Sequence, residues 1–258
     1  MISKRAASME SSGIRKVFDL AAKVRSPLNL SIGQPDFDVP EVYKRTAVAA
    51  IAAGRNSYAP TGGIPELRSA LAAHLGKRYA WKPEDLVVTA GVSGGLALAF
   101  LATLDPGDEV LLPDPYFVSY KQLPLMCGAR PVFYSTYPDW RIDAGRVEAL
   151  ITPRTRALLV NSPANPTGAV AGEAVLGELA DLARRHDLLV LSDEVYDDFC
   201  YEPGPQALDP AGRAGASRSD PPGALRGRAD GPAPDLKNGP AAAETQAGSR
   251  RVPAESSP

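Results

Sequence analysis

The sequence predicts an α/β fold built on a parallel β-sheet. Four short apolar runs, LVVT (86–89), EVLL (109–112), ALLV (157–160) and LLVL (188–191), are near-continuous rather than alternating. That is the pattern of strands buried on both faces. Segments of helical period lie between the runs, and each run is followed by a turn rich in Gly, Pro or Asp. Strand and helix therefore alternate, which in one sheet means right-handed crossovers.

The elements follow in order. Residues 41–53 and 65–75 read as helices, separated by the Gly/Pro-rich stretch 54–63. The first strand, 86–89, leads into a helix over 96–104. The second, 109–112, precedes a helix over 118–126, and the third, 157–160, precedes one over 173–186. In that last helix Val175, Leu176, Leu179, Leu182 and Ala183 form one stripe with charges opposite, the mark of a helix docked on a core. The fourth strand, 188–191, closes the series. There is no internal repeat.

Composition divides the 258 residues into two unlike parts. Residues 203–258 contain 10 Pro and 8 Gly and no Phe, Tyr, Trp, Ile or Met. Such a segment can bury almost nothing, so a disordered tail is expected there. The front, to residue 202, has the apolar content of one ordinary domain. A formal net charge of −2 argues against a nucleic-acid partner. No run is long enough to span a membrane, and the start MISKRAASMESSGIRK has no apolar signal region, so a cytoplasmic protein is expected. Cys127, Cys200, His74 and His186 are isolated, so no metal site is expected.

In open parallel sheets, ligands bind beyond the carboxyl ends of the strands, and the unusual residues fall there. Gly91-Val92-Ser93-Gly94-Gly95 opens a helix with small residues. Such a turn offers backbone N–H groups to a phosphate, although a plain N-cap with Ser93 as the cap would read the same way. Phe117 follows Pro113-Asp114-Pro115-Tyr116 and brings a flat ring to the crevice, for stacking or for packing under a loop. Asn165 lies on the stiff stretch Ser162-Pro163-Ala164-Asn165-Pro166-Thr167-Gly168, as an amide donor or a turn former. Asp193 directly follows an apolar run, a costly place for a carboxylate unless it meets a cation. Tyr196 lies three residues beyond. A phosphate cradle, a ring, an amide, a carboxylate and a phenol on one rim suit a phosphorylated pyridine such as pyridoxal 5′-phosphate. The dinucleotide fingerprint GxGxxG is missing, which argues against a nicotinamide-dependent dehydrogenase.

The stretches SIGQPDFDVP, SYAPTGGIPELR, TAGVSGGLALAF, DPGDEVLLPDPYFVSY, ITPRTRALLVNSPANPTGAV and LVLSDEVYDDF, over about residues 12–202, resemble the fold-type I, class I/II pyridoxal-phosphate aminotransferases of bacterial aspartate/aromatic type. The resemblance implies a three-layer sandwich around a mostly parallel sheet, the large domain of that family, here incomplete. It implies an arm or part of a small domain over 1–44, a partial cofactor-binding domain over 45–202 and the tail over 203–258. Gly91, Val92 and Ser93 correspond to the phosphate turn, Phe117 to the stacking ring, Asn165 and Tyr196 to donors to the cofactor's 3-oxygen, and Asp193 to the partner of its ring nitrogen. Gly33 corresponds to a glycine at the substrate carboxylate, and Tyr58 to a tyrosine reaching the partner's cofactor in a homodimer. An amino acid and a 2-oxo acid are the implied substrates.

Beyond residue 202 the resemblance stops. The family's Ser-x-x-Lys loop with its Schiff-base lysine is not recognisable there. Lys237, in the Pro- and Gly-rich tail, does not replace it. The expectation is a frameshifted tail, no catalytic lysine and an inactive chain, with doubtful dimerisation. A non-catalytic remnant and a β-lyase-like enzyme on the same cofactor are the alternatives.

Overall fold

The computed structural model describes residues 37–79, 83 and 85–200, together with positions 2–7, 9, 13, 17, 20, 23–25, 33 and 35. The expected tail lies outside the described residues. Four strands, β1 Glu109–Asp114, β2 Arg130–Ser135, β3 Thr155–Asn161 and β4 Leu189–Asp193, form one sheet in the order β2-β1-β3-β4. Every pairing is parallel, and the register sets Leu112 beside Phe133 and Asn161 beside Asp193. After a single helical turn at Lys4–Ala7, the helices are α1 Glu41–Ala52, α2 Pro65–Arg78, α3 Gly91–Thr103, α4 Ser119–Cys127, α5 Ala144–Glu148 and α6 Glu173–Arg185, with a 3₁₀ turn at Asp197–Phe199. The domain boundary expected between residues 44 and 45 falls inside α1.

Side chains of the central strands alternate between two cores, as a pleated strand requires. Val110, Leu112, Ala157 and Leu159 join Leu96 and Phe100 of α3 and Tyr120 and Cys127 of α4. Leu111, Leu158 and Val160 join Val147 of α5 and Leu176, Leu179 and Leu182 of α6. The sandwich thus has three layers, and the continuous apolar runs of β1 and β3 reflect strands covered on both faces. The stripe expected on the 173–186 helix is the face that α6 buries, with Leu179 fully enclosed.

The expected strand at 86–89 is a correction. This run forms no regular element and pairs with none of the four strands. Its backbone is held instead by Val88 N–H donating to the Gly62 carbonyl at 3.0 Å and by Arg68 Nε donating to the Leu86 carbonyl at 2.7 Å. Apolar composition marks a potential strand; a ladder also needs a neighbour, and none is offered among the described residues. Conversely, β2 was not expected. It starts Arg-Pro, and a proline is tolerated there because β2 is an edge strand with one unpaired side. Helix α5 was also missed. It has five residues, too few to show a period, and is started by the Asp143 carboxylate accepting from Arg146 N–H at 3.0 Å.

At the amino ends of the strands sits one closed polar cluster. The Glu109 side chain is buried and accepts from Thr152 Oγ1 at 2.6 Å, from Arg154 Nη2 at 3.0 Å and, more distantly, from Arg130 Nη1 at 3.5 Å. The Thr152 hydroxyl, followed by the two guanidiniums, holds this carboxyl below the usual carboxylate range against the opposing effect of burial.

Candidate functional site at the carboxyl ends of the strands

The ends of β3 and β4 are locked together by one side chain, that of Asn161. Its amide nitrogen donates to the Pro163 carbonyl at 3.1 Å and the Asp193 carbonyl at 3.0 Å, and its oxygen accepts from Asn165 N–H at 2.8 Å. Asn161 is buried, so all three bonds lie in a region where an unpaired amide would be costly. It fixes the backbone positions of Asn165 and Asp193 relative to each other. Beyond it, Gly168 takes a φ of +72°, a left-handed conformation that glycine adopts without strain.

Asn165 and Tyr196 are brought together. Asn165 Nδ2 donates to the Tyr196 hydroxyl at 3.1 Å, and Tyr196 keeps one side open to solvent. Both polar ends therefore face the same exposed point on the rim. The segment carrying Tyr196 is tied down from α2. The Tyr79 hydroxyl donates to Asp197, while Arg78 pairs with Asp197 at 3.2 Å and Asp198 at 2.7 Å. Burial and Asp197 push the Tyr79 phenol up to about 12, so it remains a donor at neutral pH.

Asp193, the last residue of β4, is only 5% exposed. One carboxylate oxygen accepts from the Tyr120 hydroxyl at 2.6 Å and the other from Val195 N–H at 3.2 Å. Among the described residues no cation pairs with it. Tyr120 in turn meets Phe117 edge to face, with ring centroids 5.8 Å apart. Phe117 and Asp193 are thus linked through a single side chain.

Gly91, Val92 and Ser93 form the first turn of α3, so the expected loop is already helix. Gly91 has a φ of +70°, and a Cβ built there would meet open space. No side chain caps this helix; Ser93, read as a possible cap, sits exposed within the first turn, and Ala90 holds the cap position. The polypeptide passes from the end of α3 into the start of β1 through 104–108. The carboxyl end of α3 is therefore at the amino end of β1, and its first turn, at the opposite end of the helix, lies toward the carboxyl ends of the strands, on the face that also holds Phe117 and Tyr120.

Two expected residues are not joined to this group. Gly33 is exposed, with open space where a Cβ would lie among the described residues, and Tyr58 is fully exposed. Sequence reasoning missed Asn161, Tyr120, Arg78 and Tyr79. Asn161 opens the very stretch that drew attention to Asn165, so its signal was present. The Tyr120–Asp193 and Tyr79–Asp197 bonds span 73 and 118 residues, and no local pattern reveals them. Among the described residues no cluster of His, Cys, Asp or Glu could hold a metal, and no helix is long and apolar enough to cross a membrane.

The family model for aminotransferase class I and II matches residues 25–225. The chain belongs to this family. It is 41% identical over 196 residues to an aspartate aminotransferase of Pyrococcus abyssi, covering 74% of this chain and 50% of that protein. It is 43% identical over 209 residues to the aspartate/prephenate aminotransferase of Thermus thermophilus, covering 78% and 54%. The solved aspartate aminotransferase from Thermus thermophilus with maleate superimposes with a TM-score of 0.78 at 41% identity, over 82% of this chain and 58% of that one. This aminotransferase-family chain spans about half the length of the curated relatives it matches, and the family match continues past the boundary expected at residue 202.

Proposed function

We propose that this chain carries the cofactor-holding side of a pyridoxal 5′-phosphate-dependent aminotransferase site. The observation that carries the reading is Asp193, a buried carboxylate at a strand's carboxyl end whose partners are a phenol and an amide N–H, with no cation among the described residues. A protonated pyridine nitrogen supplies the missing positive charge and a hydrogen-bond donor. The other residues fit the same molecule. The uncapped first turn at Gly91, Val92 and Ser93 offers N–H groups to the phosphate. Phe117 offers a ring face for stacking, and the Asn165–Tyr196 pair offers donors to a ring oxygen. Gly33 belongs to the substrate carboxylate and Tyr58 to the site of a second subunit in a homodimer.

When bound, the cofactor supplies an electron sink for charge developing at a substrate's α-carbon. The residues named here bind, orient and hold the ring-nitrogen proton, and none of them is an amine. For this chain the proposal is cofactor binding by these residues. Transfer of an amino group from an amino acid to a 2-oxo acid is the proposal for a protein of the relatives' full length.

The test is equilibrium titration with pyridoxamine 5′-phosphate, which has no aldehyde to react with surface lysines, followed by fluorescence. Saturable binding weakened by Asp193→Asn and by Asn165→Ala is expected. Binding that ignores both substitutions sinks the assignment.

A further inference from the structure

We infer that Tyr120 is a positioning residue that aims the Asp193 carboxylate at the ring nitrogen of the bound cofactor. This deepens the proposed function and rests on it. The case starts from the geometry of two buried groups. Tyr120 is 2% exposed and Asp193 5%, and they meet at 2.6 Å between elements far apart in sequence, α4 and the end of β4. An aspartate's terminal torsion is intrinsically broad, so a lone Asp193 would present its oxygens in many orientations. Here each oxygen has one fixed donor, Tyr120 Oη on one and Val195 N–H on the other. With two donors on two oxygens the carboxylate plane is set. Each ionised oxygen still has acceptor capacity for one more donor.

The phenol suits this task chemically. Burial, and next the hydrogen bond to Asp193, push its ionisation far above the ordinary tyrosine range. It therefore stays a neutral donor and never places a second negative charge beside the carboxylate. Its ring also touches Phe117, and its N–H donates to the Phe117 carbonyl at 2.9 Å. One residue thus couples the stacking ring to the ring-nitrogen partner.

The experiment compares two ligands: pyridoxamine 5′-phosphate and its 1-deaza analogue, in which carbon replaces the ring nitrogen. The unmodified protein should favour the nitrogen-containing ligand. Tyr120→Phe, which keeps the ring, should cut that preference about tenfold while leaving affinity for the deaza analogue unchanged. Tyr120→Leu, lacking both hydroxyl and ring, should lose the preference too, and far-ultraviolet circular dichroism checks that each variant is folded. In an Asp193→Asn background, Tyr120→Phe should have no further effect on the preference. Equal weakening of both ligands in Tyr120→Phe would mean a merely structural role and overturns the inference. An unchanged preference in that variant overturns it as well. If the unmodified protein itself shows no preference, the ring-nitrogen assignment of Asp193 fails, and this inference fails with it.

Discussion

Two carboxylates are buried in this sheet, one at each end, and they are treated in opposite ways. Glu109, at the amino ends, faces two guanidiniums and a hydroxyl. Asp193, at the carboxyl ends, meets a phenol and one backbone N–H. Burial of a charge is tolerated when it is neutralised and hydrogen-bonded. Glu109 satisfies that condition from within the chain. Asp193 has hydrogen bonds but no countercharge among the described residues, and in the proposed reading a cationic ring nitrogen supplies it. On that reading the contrast separates a carboxylate that fastens strands from one that holds a ligand.

The contrast is most exposed to failure in stability measurements. Glu109→Ala removes charge-assisted bonds to Thr152 and Arg154 and should cost about 2–3 kcal/mol in urea unfolding. Asp193→Ala removes a buried carboxylate with no countercharge among the described residues and should cost less than Glu109→Ala, the loss coming from the unpaired Tyr120 hydroxyl. Equal losses would mean that both carboxylates fasten the fold.

Ligand binding should reverse the order. Asp193→Asn should weaken pyridoxamine 5′-phosphate about 30-fold, or about 2 kcal/mol, because a neutral amide leaves the pyridinium charge unmatched. Glu109→Gln should leave the dissociation constant unchanged. Fluorescence titration reads both, and a comparable loss in Glu109→Gln would erase the distinction between the two ends.

The sequence disclosed these ends unequally. Strands β1, β3 and β4 were legible because each carries an unbroken apolar run, buried on both faces in β1 and β3 and half-buried in the edge strand β4. The edge strand β2, Arg130–Ser135, is covered less completely, and its Arg-Pro start hides it. The run 86–89 shows the converse error, since composition reports that a segment can pair but not that a neighbour is present. At the site, Asp193 stood out as a carboxylate immediately after LLVL, and Asn165 stood out in its proline-fixed turn. Tyr120 and Tyr79 did not, because their roles are created by contacts across 73 and 118 residues. Glu109 was read only as the first letter of a strand. The partners that make it a clasp come from two places, Arg130 from the start of β2 and Thr152 and Arg154 from the turn before β3.

Acid should loosen the clasp. Glu109's carboxyl is held below its ordinary value in the folded protein, chiefly by the Thr152 hydroxyl. As pH falls, the unfolded chain therefore takes up this proton first. The stabilisation is complete above about pH 4.5 and declines as pH drops through the folded value. Thr152→Val should reduce that acid-sensitive share by about 1 kcal/mol. Glu109→Gln should abolish it, flattening this part of the stability profile below about pH 4.5. A profile identical to that of the unmodified protein would show that other carboxylates govern acid unfolding.

The finest division lies within the clasp itself, between its two arginines. Arg154 reaches Glu109 at 3.0 Å and Arg130 at 3.5 Å, with side chains 62% and 68% exposed. Both charges are solvated and cost little to leave unpaired, so neither deletion should approach the loss from Glu109→Ala. Arg154 makes the shorter, better-formed bond to a buried acceptor, and Arg154→Ala should cost about 1 kcal/mol. Arg130 lies at the limit of hydrogen-bond distance on the edge strand, and its attraction is screened by water and salt. Arg130→Ala should cost less than about 0.5 kcal/mol and should become indistinguishable from the unmodified protein in 1 M salt. A double-mutant cycle with Glu109→Gln isolates each pair from the packing of its arginine stem. A coupling for Arg130 as large as that for Arg154 would mean that the edge strand is fastened by charge, and that the clasp spans three strands rather than joining β1 chiefly to the turn before β3.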